Sequence, residues 1–323
     1  MLMSAGILRG MLSNGFTTVR EVGGAEIAHA KATKEFLIPG PRVFQGGRLL
    51  SQMGGHGNDT CCGGSGIRPS NLGRTYNSVA EYLKATRDNI RKGAKHIKVY
   101  TSGGIASETD KLEAITTTTK NIGGTLVTAH CYTAGGVYYS IEGGVRGIEH
   151  GNIIYYFTAK FIAEKGCFLT LTLALYTFII MLLYNKFETL ERLRKNAIIG
   201  AACTKVIRYA EDAGVYIYFG TNATGPTLVM QTYEFVVRAA LLLSPVVLKQ
   251  ATINGAKQIG MEGLLNELIP GAYADLLFLN ENPLEDIICF DRKEENLVAI
   301  MKDGRFVKSH IAGVKAEREC SWN

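Results

Sequence analysis

Apolar and polar residues are arranged in two alternating patterns along most of this chain. Short runs rich in β-branched and aromatic residues are separated by longer stretches with the spacing of amphipathic helices. The short runs predict the strands GFTTVREV (15–22), HIKVY (96–100), TLVTAH (125–130), VRGIEH (145–150), CFLTLTL (167–173) and VYIYFGT (215–221). Since helical stretches lie between these strands, the pattern indicates parallel pairing.

The longer stretches predict the helices of this series. They cover 79–92, with Ser78 as the N-cap, 111–121, 133–142, 158–165, 186–213, 231–243 and 245–258. Six strands in this order, followed by polar or glycine-rich loops, favour a (β/α) barrel over an open sheet. We therefore expect an α/β fold of the TIM-barrel type over residues 1–262.

The last part of the chain has a different pattern. Three apolar runs, ADLLFLN (274–280), NLVAIMKDG (296–304) and RFVKSHI (305–311), are joined by tight turns. The Asp303–Gly304 pair is a strong hairpin signal, because both residue types adopt a positive φ readily. We expect residues 263–323 to form a small C-terminal β-sandwich appendage.

Composition and charge limit the classes of protein that the chain can represent. Of its 323 residues, 46% are hydrophobic and 20% are charged, which is ordinary for a globular domain. The net charge of +6 comes from scattered residues, and no Lys/Arg-rich run is interleaved with aromatic residues. Nothing in the sequence therefore supports nucleic-acid binding.

The cysteines and the N-terminal segment bear on the cellular compartment. There are seven cysteines, an odd number, and no pair has CxxC spacing. This favours reduced thiols in a cytosolic protein. The N-terminal segment MLMSAGILRG has no charged region ahead of its apolar residues, so it is a poor secretory signal. We expect a cytoplasmic protein.

One apolar segment is nearly long enough to cross a membrane. Gly166 to Tyr184 contains 19 residues without a charge, and a transmembrane helix needs about 20. The segment also falls where the strand–helix series requires a strand, and parallel strands covered on both faces are continuously apolar. We favour a buried strand that runs into a buried helix over the alternative of a membrane span.

Three residues in predicted strands have side chains suited to chemistry. Lys98 lies in HIKVY, His130 ends TLVTAH and His150 ends VRGIEH. Barrel enzymes hold their catalytic groups at these carboxyl ends. A single histidine there is more often a hydrogen-bonded core or surface residue, whereas a lysine in an apolar strand is costly to bury unless it is paired or modified. Two neutral imidazoles and a carboxylated lysine would together suit a divalent ion such as zinc.

Several longer segments occur in an order that is typical of one enzyme superfamily. They are HIKVYTSGGIAS, AHCYTAGGVYYSIEGGVRGIEHGN, GVYIYFGTNATGP and GAYADLLFLNENPLEDI, with GFTTVREVGG, GPRVFQGGR and GGHG (54–57) in agreement. In these segments the chain resembles the amidohydrolase superfamily, in particular the group of imidazolonepropionase-like proteins, Xaa-Pro dipeptidases and ochratoxinase-like enzymes. The resemblance implies metal-dependent hydrolysis of a C–N bond in an amide, peptide or cyclic amide.

The resemblance also implies roles for individual residues. Members of the group hold one metal with an HxH pair and an aspartate, and a second metal with two histidines, while a carboxylated lysine bridges both. Lys98 matches the bridging lysine, and His130 and His150 match the histidines of the second metal. Tyr132 is implied to contact the substrate, and His56 in the GGHG loop could also do so. A buried aromatic residue and an exposed loop histidine are the respective alternatives.

The chain departs from the family pattern at the other metal. Asn222 in GTNA (220–223) stands where the family has an aspartate, and no HxH pair occurs among the six histidines. An asparagine amide has no basic oxygen, so Asn222 is an impaired general base. The family's first barrel strand is also missing, which implies an incomplete (β/α)8 barrel. We expect at most one divalent ion per chain, with zinc as the expected metal.

Three functions are compatible with these features. The first is an amidohydrolase-family protein with weak or lost activity toward a small amide or peptide-like substrate. The second is a non-catalytic relative, or pseudoenzyme, that binds a small molecule or a partner protein. The third is a fragment of a longer hydrolase whose upstream part carries the HxH pair. Because an incomplete barrel has two exposed edges, homo-oligomers are also expected.

Overall fold

The computed structural model of the protein describes residues 2–57, 73–104, 111–113, 125–180, 190–223 and 225–317. Its helices are α1 (Leu2–Ser13), α2 (Ile27–Lys34), α3 (Val79–Arg91), α4 (Ala134–Glu142), α5 (Tyr156–Glu164), α6 (Ala174–Ile180), α7 (Leu190–Asp212), α8 (Tyr233–Ala239), α9 (Ser244–Ala251), α10 (Ile253–Gln258) and α11 (Lys293–Asn296). Its strands are β1 (Thr18–Glu21), β2 (Arg42–Gln45), β3 (Leu49–Ser51), β4 (Gly73–Thr75), β5 (Ile97–Tyr100), β6 (Val127–Thr133), β7 (Gly147–Ile153), β8 (Phe168–Leu171), β9 (Tyr216–Phe219), β10 (Leu276–Leu279), β11 (Leu297–Lys302) and β12 (Arg305–Ser309). Two 3₁₀ helices cover Gly225–Met230 and Ile287–Phe290.

Seven strands form a parallel sheet in the order β4-β3-β5-β6-β7-β8-β9. Every residue of β5 and β8 is buried, and β6 and β7 are buried except at their last residue. This burial is typical of parallel strands that are covered on both faces. The predicted α/β fold with a central parallel sheet is confirmed, while closure into an eight-stranded barrel stays a prediction.

The first predicted strand does not belong to this sheet. Part of GFTTVREV (15–22) forms β1, which pairs with β2 in a separate two-stranded sheet, so the expectation that it joins the parallel series is wrong. The parallel sheet instead contains β3 and β4, which the sequence pattern did not predict. Each has three residues, and a run that short shows no alternation by which a strand can be recognised.

Two compact units divide the chain. One comprises residues 1–20, 29–44 and 221–323, and the other comprises residues 21–28 and 45–220. The second unit contains the parallel sheet and helices α3 to α7. The predicted domain border between residues 262 and 263 stays a prediction.

The first unit contains the antiparallel sheet β10-β11-β12. Strands β11 and β12 are joined by Asp303 and Gly304, whose φ angles of 51° and 78° lie in the left-handed region. Both angles are those of a two-residue hairpin turn, so the predicted hairpin is confirmed. Leu12 of α1 packs with Leu297 and Ile300 of β11 in the core of this sheet. A second layer, as in the predicted sandwich, stays a prediction.

The apolar segment Gly166 to Tyr184 forms a strand and then a helix over its described part. These elements are β8 and α6, and none of the described helices is long and apolar enough to cross a membrane. The expectation of a buried strand that leads into a helix is therefore confirmed as far as Ile180. Residues 181–189, and most of the helix predicted at 111–121, lie outside the described residues.

Candidate metal and substrate site

Three neighbouring strands of the parallel sheet carry the candidate residues. Lys98 lies in β5, and His150 lies in β7. Between them, β6 carries His130 and Tyr132. The ring centroids of His130 and His150 are 4.7 Å apart, and the Tyr132 ring lies 4.8 Å from the first and 5.2 Å from the second. The structure thus brings the two predicted histidine ligands together with the predicted substrate contact.

The position of the His150 ring depends on an unusual backbone conformation. Glu149 is the register partner of His130, so regular alternation would turn the side chain of the next residue, His150, toward the other face of the sheet. His150 has a φ of 76° and Gly151 has a φ of 61°, both in the left-handed region. Such angles are uncommon for a non-glycine residue and interrupt the regular pleat. This local turn allows the His150 ring to reach that of His130.

The loop that follows β3 brings a third imidazole to the same place. The His56 ring stacks on that of His130, with centroids 4.6 Å apart and planes at 14°, and it meets Tyr100 edge-on at 5.4 Å. His56 is buried, and its ring lies against the backbone of Gly104. A Cβ at residue 104 would be 2.4 Å from the His56 ring, so this approach requires glycine. The alternative of an exposed loop histidine is wrong.

His130 is held as a neutral imidazole with one nitrogen engaged. Its Nε2 lies 3.3 Å from the carbonyl oxygen of Gly103. Burial lowers the pKa of His130 well below the usual value of 6.5, and the nearby charges of His56, His150 and Lys98 lower it further. The uncharged form is the one that can bind a metal ion.

His150 is held in a similar way, but through Nδ1 instead of Nε2. Its Nδ1 lies 2.9 Å from Thr172 Oγ1. Burial, followed by the charge of Lys98, lowers the pKa of His150 from 6.5 to about 3, against the opposing effect of Glu149. Both predicted histidine ligands are therefore uncharged near neutral pH.

Lys98 is the third member of the predicted ligand set. It is 3% exposed within a strand that is buried throughout. Lys98 is close enough to His130 and His150 for its charge to lower the pKa of both imidazoles. An ammonium group in such a place is costly, and carboxylation would replace it with an anion.

The two imidazoles fit the divalent ion that the resemblance implies. Each has one ring nitrogen directed at a protein oxygen, which orients the ring and leaves the second nitrogen for a metal. Over the ranges that the structure describes, no group of three His, Cys, Asp or Glu side chains is placed to hold a metal ion. Carboxylated Lys98, which the resemblance implies as a third ligand, stays a prediction.

A second tyrosine, which the sequence did not indicate, lies beside this cluster. Tyr176 of α6 is fully buried, and its hydroxyl is 2.8 Å from that of Tyr132 and 3.4 Å from His150 Nδ1. Burial raises the pKa of Tyr176 well above its usual value of 10, so the hydroxyl keeps its proton. Tyr176 belongs to the site although it comes from the apolar segment after β8.

Asn222, the predicted replacement for a catalytic aspartate, belongs to the other compact unit. It lies three residues after the end of β9 and is exposed. Its φ of 49° is left-handed, a conformation that asparagine tolerates better than most residues. The catalytic role of this position stays a prediction.

Comparison with known proteins gives the wider relationship. A model of the amidohydrolase family matches residues 2–307, which is most of the chain. The chain belongs to the amidohydrolase family. Ochratoxinase from Aspergillus niger is 30% identical over 325 aligned residues, which cover 92% of this amidohydrolase. The chain spans 66% of the length of that relative. The predicted family is confirmed.

Solved structures of similar fold support the same relationship for this amidohydrolase. A prolidase in complex with N-methylphosphonate-L-proline is 33% identical with a TM-score of 0.88, and the match covers 95% of this chain and 79% of the prolidase. A Xaa-Pro dipeptidase with methionine bound in its active site is 26% identical with a TM-score of 0.81, covering 94% of this chain and 78% of the dipeptidase. The parallel unit is consistent with a TIM-barrel-like fold.

Proposed function

We propose that this amidohydrolase binds a small amide or peptide-like molecule beside a single divalent metal ion, and that its hydrolysis of C–N bonds is weak or lost. One observation carries the proposal. His130 and His150 lie side by side in a buried cluster, both uncharged, and each has one ring nitrogen directed at a protein oxygen. This is the arrangement of a metal-binding histidine, whose other ring nitrogen bonds to a protein oxygen.

The proposed ligands are carboxylated Lys98, His130 and His150, and zinc suits this set of oxygen and nitrogen donors. When bound, such an ion can polarise a carbonyl group or lower the pKa of a water molecule. The surrounding protein would exclude bulk water from the site and fix the orientation of these side chains, because Lys98 and both histidines are at most 5% exposed.

The proposed substrate class rests on the relatives and on the residues around the cluster. Ochratoxinase, prolidase and Xaa-Pro dipeptidase are the kinds of protein to which this chain is similar. Tyr132 and His56 flank the two histidines and would contact the bound molecule. A phenolic hydroxyl and an imidazole can both bond to the carbonyl or carboxylate oxygens of such a molecule.

Weak or absent turnover is proposed because of Asn222. At the position where the family has an aspartate, its amide supplies neither a charge nor a basic oxygen. The HxH ligands of the family's other metal are not found among the six histidines of the printed sequence. A binding protein without catalysis is the limiting case of the same proposal.

Metal analysis of the purified protein tests the proposal. We expect at most one equivalent of zinc, carboxylated Lys98 in the intact-mass spectrum, and loss of the metal in His130→Ala. His310→Ala is the matched control, because His310 is an exposed histidine of the other unit. Two tightly bound ions per chain, or a full metal content in His130→Ala, would show that this ligand set is wrong.

Turnover is measured on the same zinc-loaded preparation with a panel of N-acyl amino acids and Xaa-Pro dipeptides. We expect rates close to background together with measurable binding of some members of the panel. Rapid hydrolysis by the unmodified chain would contradict the impaired site. Failure to bind any member of the panel, by contrast, would contradict the substrate class.

A further inference from the structure

The serine that follows strand β5 connects the backbone of β6 to the carbonyl group beside His130. Strand β5 ends at Tyr100, whose register partner in β6 is His130. Beyond this pair, the backbone N–H of Tyr132 donates to Ser102 Oγ at 3.2 Å, and the Ser102 hydroxyl donates to the carbonyl oxygen of Gly103 at 3.0 Å. That carbonyl oxygen lies 3.3 Å from His130 Nε2. The three contacts form a continuous link from the backbone of β6 to the imidazole of His130.

The chemistry of these groups fixes the direction of both bonds that Ser102 makes. A backbone N–H can only donate and a backbone carbonyl can only accept, whereas a hydroxyl does both. The hydroxyl of Ser102 therefore accepts from Tyr132 and uses its single proton toward Gly103. Ser102 is 0% exposed, so bulk water does not compete for either bond.

The carbonyl group of Gly103 lies in a part of the backbone that is intrinsically free to rotate. Its peptide group joins Gly103 to Gly104, and glycine restricts backbone rotation less than any other residue. A hydrogen bond from a buried hydroxyl favours one orientation of such a peptide group. Since a substitution at residue 103 would leave the carbonyl in place, the neighbouring side chain of Ser102 is the group that can decide where the acceptor for His130 lies.

We propose that Ser102 is a positioning residue, which fixes the carbonyl group of Gly103 and thereby orients the His130 imidazole for a metal ion. Ser102 acts through Gly103 and does not need to touch the metal ion or the substrate. The orientation of His130 concerns the metal-free protein alone, whereas the consequence for metal binding rests on the proposed function. Partners that orient a metal-binding histidine typically contribute about 10- to 100-fold to metal affinity.

Crystal structures of the metal-free protein test the orientation of His130. The unmodified protein is compared with Ser102→Ala, which removes the hydroxyl, and with Ser102→Thr, which keeps it. In Ser102→Ala we expect His130 Nε2 and the Gly103 oxygen to move out of hydrogen-bonding range, beyond about 3.5 Å. The contact should persist in Ser102→Thr. An unchanged contact in Ser102→Ala, or its loss in both variants, would show that the hydroxyl does not hold the ring and overturns the proposal.

Zinc affinity tests the consequence for the metal site. Competition with a chromogenic chelator gives the Kd for zinc, and urea denaturation gives the stability of each variant. Ser102→Ala should bind zinc about 10- to 100-fold more weakly than the unmodified protein, and Ser102→Thr should bind it nearly as well. If Ser102→Ala shows no cooperative unfolding transition, Ser102→Cys takes its place, because the thiol has a similar volume and is a weak hydrogen-bonding group.

Ser140→Ala is the matched control. Ser140 is a buried serine of α4 whose hydroxyl lies 2.8 Å from Thr101 Oγ1, in the same loop, and 2.6 Å from the carbonyl oxygen of Gly136. This variant also loses a buried, hydrogen-bonded hydroxyl, so its stability should fall to a similar extent while its zinc affinity stays unchanged. Equal losses of zinc affinity in Ser102→Ala and Ser140→Ala would indicate a general loosening of the loop and overturn the positioning role.

The outcomes separate this inference from the proposed function. If the unmodified protein binds no zinc, the proposed metal site has failed, and the crystal structures still decide whether Ser102 orients His130. If zinc binds with the same affinity to Ser102→Ala and to the unmodified protein, the metal site stands and the positioning role of Ser102 is wrong.

Discussion

The imidazole of His56 lies on that of His130, with ring centroids 4.6 Å apart and planes at 14°. The stack joins the loop after β3 to the middle of strand β6, and these two elements are far apart in sequence. Parallel stacking of the rings favours an uncharged pair, because two imidazolium ions at this distance would repel each other. The lowered pKa of His130 has the same consequence. The candidate site should therefore be sensitive to substitutions that disturb this ring contact.

Substitution of Gly104 should break this stack. In Gly104→Ala the new Cβ would lie 2.4 Å from the His56 ring, so the ring has to leave its place. We expect a loss of about 1–3 kcal/mol in the free energy of unfolding, as for other overpacked sites, together with weaker binding of small amides. Urea denaturation and calorimetry measure the two effects.

Gly135→Ala is the control for this prediction. Gly135 lies in helix α4, where an added Cβ meets nothing within 4 Å. Alanine is the better helix residue, so this variant should gain about 0.5–1 kcal/mol in stability and keep its ligand affinity. Equal effects of the two substitutions would mean that the space around Gly104 is not as tight as the structure shows.

The pH dependence of stability should report the burial of His150. The pKa of His150 is about 3 in the folded protein and 6.5 in an ordinary environment. Between these values the unfolded chain takes up a proton that the folded chain does not. The contribution of neutral His150 is therefore complete above about pH 6.5 and is lost as the pH falls toward 3, by at most about 1.4 kcal/mol per pH unit.

His150→Asn isolates this contribution, because asparagine does not titrate and tolerates the φ of 76° at this position. Unfolding by urea is followed in chelator-treated protein from about pH 7 to about pH 4. The unmodified protein should lose stability more steeply than His150→Asn over this range. Parallel curves for the two proteins would show that His150 is accessible to protons in the folded state.

Much of the parallel sheet could be predicted because its strands are long or continuously apolar. Strands β6 and β7 each contain seven residues, and the predictions at 125–130 and 145–150 overlap them. His130 and His150 could be recognised because they end such runs, where barrel enzymes place reactive groups. Strand β3, with three residues, carries too little pattern to be recognised.

Other parts of the site depend on information that is not local in sequence. Tyr176 and Thr172 lie in an apolar segment. In such a segment the sequence pattern does not distinguish a tyrosine that only fills the core from one that forms a hydrogen bond with a neighbouring tyrosine. The orientation of His150 depends on a left-handed backbone that alternation alone would not predict. His56 was indicated only as a possible substrate contact, since its burial depends on the backbone of Gly104, which is distant in the chain.

An ion-pair network in the first unit should be important for stability. Arg42 donates to Asp275 at 2.6 Å, also pairs with Asp303, and lies 4.3 Å from the centre of the Tyr273 ring. The side chains of Arg42 and Asp275 are 15% and 3% exposed. Loss of one partner of a buried pair costs about 3–5 kcal/mol, and since Asp303 remains, we expect about 2 kcal/mol for Asp275→Asn.

The matched control for this network is Asp88→Asn. Asp88 pairs with Arg91 and Lys92 on the exposed face of α3, where ion pairs contribute little. The thermal midpoint of Asp88→Asn should equal that of the unmodified protein, while the midpoint of Asp275→Asn should be clearly lower. A fall of similar size in both variants would argue against a special role for the Arg42 network.

Replacement of Asn222 by aspartate is the most direct test of the impaired site. The change restores a carboxylate at nearly constant volume, and aspartate tolerates the left-handed φ of 49° about as well as asparagine does. Because the side chain is exposed, Asn222→Asp should fold normally. We nevertheless expect turnover to remain at background, since the family's other metal would still lack its HxH ligands.

Zinc content and hydrolysis of the amide panel are measured for Asn222→Asp and for Asn222→Gly, which also accepts a positive φ. A general base contributes about 10²–10⁴-fold to a rate, so an increase of that size in Asn222→Asp alone would show that one metal ion suffices and that residue 222 was the sole defect.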